Sequence, residues 1–83
     1  MAQSNRFDVL IVESETGRFS LTHSGSIEGS SPSELLDAYL KAFSSEEYRA
    51  ERVVEPGLVE GTLAVYDTFW GRTVAVLEPR EGV

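Results

Sequence analysis

The sequence contains no cysteine, and His23 is its only histidine. Disulfides, zinc–thiolate sites, iron–sulfur clusters and thiol nucleophiles are thereby excluded, as is any single-chain metal site needing two histidines. Lysine is almost missing, with Lys41 standing beside six arginines. Positive charge as a whole is scarce: 7 basic residues face 14 acidic ones, for a net charge of −7. Phosphate recognition draws much of its affinity from a basic surface, so nucleic acid is disfavoured as the main ligand, and an anionic membrane equally so. Apolar runs such as Val9-Leu10-Ile11-Val12 fall far short of the roughly 18–20 residues that span a bilayer. The opening residues, Met1 to Arg6, are polar and lack the apolar core of a signal peptide, which makes the cytoplasm the default expectation.

What remains is one small domain. A chain of 83 residues hides only about 60% of its unfolded surface on folding, so its core is expected to be thin, two layers deep. The hydrophobic fraction of 41% suffices for such a core and is too high for a disordered acidic tail. Residues 1–5 read as a frayed tail, 6–79 as the domain and 80–83 as a polar tail.

Phe7–Glu13 carries apolar residues at both parities, the pattern of a strand covered on both sides or central in its sheet. Ser14-Glu15-Thr16-Gly17 forms a turn, with Gly17 suited to a left-handed position. Arg18–His23 alternates, which sets Phe19, Leu21 and His23 on one face of a half-buried strand. A short third strand is placed near Ser26–Glu28. Ser31-Pro32-Ser33-Glu34 combines an N-cap serine, a proline at the first helical position and a glutamate three residues after the cap. Leu35, Leu36, Tyr39, Leu40 and Phe43 then form the apolar stripe of a helix of about three turns, with Asp37 and Lys41 paired on its outer side. Within 45–60, either Ser45 caps a short helix through Tyr48 or a loop enters a strand around Ala50–Glu55, before Pro56-Gly57 turns the chain. Gly61–Asp67 and Thr73–Glu78 read as a hairpin linked by Thr68-Phe69-Trp70-Gly71-Arg72.

The expected fold is therefore α+β: a single two-layer domain, mostly antiparallel β-sheet, in the order β-β-(β)-α-β-β-β, with one amphipathic helix on one face. One helix covers about four strands on one side only. Leu10, Val12 and Ala64, with Tyr66 or Val74, are left for an open face unless 45–60 folds over it. An uncovered apolar face marks an interface.

The candidate site lies at the second hairpin. Turn tips are wet and usually polar, so Phe69 and Trp70 there read as partner anchors, with Arg72 able to stack or pair beside them. The alternative folds both rings back onto the sheet. Glu46, Glu47 and Glu51, continued by Glu55 and Glu60, read as a steering surface for a basic partner, against the plainer reading of a solvated edge. No catalytic, cofactor-binding or metal site is expected. Glu13, Glu15 and Asp67 lack the spacing of a cation loop. His23 is the one candidate general base, most simply read as structural. Gly25-Ser26-Ile27-Glu28-Gly29 has no following lysine and is not a phosphate loop.

Three resemblances follow. Phe7–Glu13, Gly17–His23, Ile27–Gly29 and Ser31–Phe43 together resemble the first half of the HicB-like antitoxin pattern, which implies a homodimeric domain pairing through its sheet. The β-β-α-β-β order is also similar to that of ubiquitin-like proteins. As a class, a small acidic cysteine-free domain resembles phage-encoded inhibitors, anti-CRISPR proteins among them, which implies occlusion of a basic surface in a host defence complex. The leading expectation is thus a non-enzymatic protein-binding module without cofactors, with the homodimer second and a small enzyme using His23 third.

Overall fold

The computed structural model describes residues 5–80. Five strands form one sheet: β1 (Asn5–Glu15), β2 (Arg18–Gly29), β3 (Arg52–Pro56), β4 (Leu63–Asp67) and β5 (Arg72–Pro79). Helix α1 (Pro32–Phe43) and a 3-10 helix over Glu46–Glu51 lie between β2 and β3. All neighbouring strands are antiparallel, in the spatial order β2-β1-β5-β4-β3. The mixed, mostly sheet architecture matches the expectation. The element order differs at the bracketed third strand: there are five strands, a 3-10 helix is added after α1, and the short strand near Ser26–Glu28 is the continuation of β2. Asn5, assigned from sequence to the tail, opens β1 opposite Gly29. Beyond β5, the Arg80 N–H donates to the Arg6 carbonyl (2.9 Å).

A bulge accounts for the difference in β2. Gly25 pairs with Val9 and His23 pairs with Leu10, which leaves Ser24 as an extra residue. One extra residue reverses the parity of everything before it. Ile27 and Gly25 face the helix, while Phe19, Leu21 and His23 pass to the opposite face. There Phe19 is 77% and Leu21 54% exposed. The half-buried strand expected at Arg18–His23 is in fact exposed throughout.

The helix begins as its sequence dictates. Ser31 Oγ accepts from the Glu34 N–H (3.2 Å) and Pro32 occupies the first turn. Glu34 reaches back to the Ser30 N–H (3.1 Å), one residue before the cap. Leu35, Tyr39 and Leu40 are buried by the stripe they form, and Phe43 packs against the same core. Contacts with both edge strands, β2 and β3, carry α1 across the whole sheet. Beneath it lie Phe7, Val9, Ile27, Val65, Ala75 and Leu77. Burying these side chains stabilises the fold by roughly 1.5–3 kcal/mol for each of the larger ones. Asp37 is engaged by Arg49 of the 3-10 helix rather than by Lys41.

The segment 45–60 contains both alternatives in succession. Ser45 caps the 3-10 helix by accepting from the Glu47 N–H (3.3 Å), and β3 follows directly. The 3-10 helix packs beside α1, not over the open face. Among the described residues, no helix is long and apolar enough to cross a membrane.

Candidate protein-binding surfaces

The β4–β5 turn is built on Asp67. Its carboxylate is buried, and Oδ1 accepts from the N–H groups of both Phe69 and Trp70 (2.9 Å each). A short acidic side chain bonding the backbone two and three residues on is a turn-forming device. Gly71 closes the turn at φ 70, where its N–H donates to the Asp67 carbonyl (2.8 Å). Phe69 and Trp70 are left pointing outward, 68% and 71% exposed, with rings at 5.1 Å in a T-shaped arrangement. They do not fold back onto the sheet.

A second tie joins this turn to the acidic segment. The Thr68 N–H and hydroxyl both donate to the Glu51 carbonyl (2.6 and 2.9 Å). The C-terminal end of the 3-10 helix, at Glu51, is thereby fastened to the start of the aromatic turn, with Glu46 and Glu47 at the other end of that helix. Glu46 and Glu47 are exposed and Glu51 is partly so. Glu55 and Glu60 are not part of this cluster, because β3 carries the chain away towards the other end of the sheet. Arg72 opens β5 as an exposed residue and lines, with Val12, Phe19 and Val74, a hollow of about 300 Å³.

Behind the turn sits a partly buried arginine that sequence reasoning passed over. Arg52 Nε lies 3.7 Å from Asp67 Oδ2, and its NH1 donates to Ser44 Oγ (2.9 Å). Its guanidinium rests 4.8 Å from the Tyr48 ring centroid and 6.0 Å from that of Tyr39, positions that favour a cation. Burial raises the Tyr39 hydroxyl pKa above 10.0, and the neighbouring Arg52 charge opposes that shift. The available signal for this network was a lone arginine starting an apolar strand and an aspartate ending another, directly opposite in register.

The face of the sheet away from α1 is open. Leu10, Val12 and Ala64 lie there, as the strand periodicity predicts. A groove of about 610 Å³ crosses this face. Its floor includes Leu10, Ala64 and Val76, with Leu21 on one flank. The β3–β4 turn forms the other flank, with Leu58 and Val59 exposed upon it. That turn is well bonded: the Gly57 N–H donates to the Thr62 carbonyl (2.9 Å) and the Thr62 N–H to the Val59 carbonyl (3.0 Å). Leu58 and Val59 escaped the sequence reading, although two apolar residues between Pro56-Gly57 and Gly61 were the visible signal.

His23 Nε2 lies 3.3 Å from Asp8 Oδ1, and Arg80 Nε lies 3.4 Å from the same oxygen. His23 is exposed and Asp8 partly buried, His23 does not line the groove, and the Ser24 hydroxyl donates to the Thr22 carbonyl (3.2 Å). Among the described residues, no three His, Asp or Glu side chains converge to hold a metal ion. Asp67 is occupied by its own turn and not joined to Glu13 or Glu15. Comparison with protein-family models, with curated proteins and with solved structures finds no match in any of the three.

Proposed function

We propose that the chain is a non-enzymatic protein-binding module that acts by covering a basic surface of its partner. The observation that carries this reading is the pair Phe69 and Trp70, held outward on a turn whose backbone is fixed by Asp67. Large aromatics exposed on an ordered turn lose little freedom on binding, and such residues dominate interface energetics. Glu51 is tied to the turn through its carbonyl, and Glu46 and Glu47 extend the same acidic 3-10 helix from its other end. Together they supply the field that steers a basic partner, with Arg72 just after the tip. The finer reading, supported by the net charge of −7 and the small size, is a phage-encoded inhibitor that occludes a nucleic-acid channel of a host defence complex.

Affinity capture from host lysate, followed by measurement of binding to the purified captured protein, tests this. Trp70→Ala should weaken that binding by more than about 1–2 kcal/mol, while the melting temperature stays nearly unchanged. Loss of folding in Trp70→Ala, or unaltered affinity, overturns the assignment of the turn as the anchor.

A further inference from the structure

We propose that the groove on the open sheet face is a second binding surface, whose occupant is an apolar segment of a partner bearing lysine or arginine side chains. Leu10, Ala64 and Val76 give the groove an apolar floor, and Leu21, Leu58 and Val59 give it apolar walls. Leu58 is fully exposed and Val59 largely so, on a turn that its own hydrogen bonds hold in place. Apolar side chains kept in water on an ordered turn are poised to bury area on contact without first being ordered.

The charges around the groove select the occupant. Among the described residues, Glu60 and Glu78 are the ionisable side chains lining it, and both are acidic. Glu78 stands opposite Asp8 in the β1–β5 pairing, where the Asp8 carboxylate is already met by Arg80 and His23, so the rim's uncompensated charge is that of the two glutamates. A segment that brought basic side chains to this rim would meet opposite charge, whereas an acidic one would be repelled. A second copy of this chain carries a net charge of −7 and would set the same two glutamates against its own. The groove floor and the Phe69–Trp70 turn use different residues, so this inference does not rest on the role proposed for the turn.

Titration of the 15N-labelled protein, followed by amide chemical shifts, tests the proposal with three capped heptapeptides: alternating Leu-Lys, alternating Leu-Glu and alternating Ser-Lys. The Leu-Lys peptide should shift the amides of Leu10, Leu21, Val59, Ala64 and Val76 at submillimolar concentration. The other two peptides should act at least tenfold more weakly. Leu58→Glu alters an exposed side chain and should remove the response without changing the melting temperature. Glu60→Gln with Glu78→Gln should weaken the response severalfold, and Trp70→Ala should leave it intact. Equal shifts with the Leu-Glu peptide overturn the charge selection, and equal shifts with the Ser-Lys peptide overturn the apolar requirement. Shifts confined to other regions overturn the location. Shifts of these same amides on concentrating the protein alone overturn the choice of occupant in favour of a second copy.

Discussion

Asp67 is buried, yet its carboxylate has partners on two sides: the backbone of the turn it begins and the guanidinium of Arg52. Removing it leaves two backbone N–H groups without their acceptor and a partly buried cation without its counter-charge. Asp67→Ala should therefore cost about 1–3 kcal/mol in urea denaturation. It should also speed amide exchange at Phe69 and Trp70. Asp67→Asn keeps one oxygen acceptor and should retain most of the turn's protection, and an Asn variant as damaging as Ala would show that the charge rather than the turn geometry matters. Tyr39 gives a pH-dependent counterpart. Its pKa is raised in the folded chain by burial, so above the ordinary value of 10.0 the unfolded chain releases the proton first. The contribution is complete below that value and is lost as pH rises through the folded pKa. Tyr39→Phe should accordingly flatten the alkaline loss of stability between neutral pH and the region above 10.0, as read by denaturation at successive pH values.

At the scale of the element, the bulge in β2 decides which residues are available to a partner. Gly25 adopts φ +146, and a Cβ there would lie 3.0 Å from the Phe43 ring. Gly25→Ala should destabilise the fold by about 1 kcal/mol or more, because the backbone conformation and the space both resist a side chain. Urea midpoints of the variant and the parent check this, and an unchanged midpoint would mean that the bulge relaxes freely. The helix was legible because its cap, its proline and its stripe all agree, from Ser31 to Phe43. The hairpin of β4 and β5 was legible for the same reason. The bulge was not, because strict alternation from Phe19 to Ile27 assigns all the odd positions to one face, and a single extra residue at Ser24 divides them. Its only local mark is a serine–glycine pair inside a strand. The aromatic turn could be found from composition alone. Asp67 and Arg52 could not, since their partnership depends on which strands lie side by side.

Over the whole molecule, the dimensions of 44 × 27 × 20 Å describe a two-layer slab drawn out along its strands. One helix covers one face, and the thinness expected from 83 residues leaves the other face and the end of the β1–β2 hairpin to solvent. The same shape spreads 14 acidic and 7 basic residues over a large surface, where like charges repel and the observed ion pairs are mostly exposed. Exposed pairs contribute at most about 1 kcal/mol each and are screened by salt, whereas a net charge of −7 opposes compaction as a whole. The two effects predict opposite responses to ionic strength. Self-repulsion is screened as the Debye length falls from about 10 Å at 0.1 M to about 3 Å at 1 M. Raising sodium chloride across that range should therefore raise the melting temperature by a few degrees, while it slows association with a basic partner at least severalfold. Calorimetry and stopped-flow binding read the two separately. A melting temperature that falls with salt would mean that pairs such as Arg6–Glu28 and Asp37–Arg49 outweigh the repulsion. An association rate indifferent to salt would mean that the acidic surface does not steer the encounter.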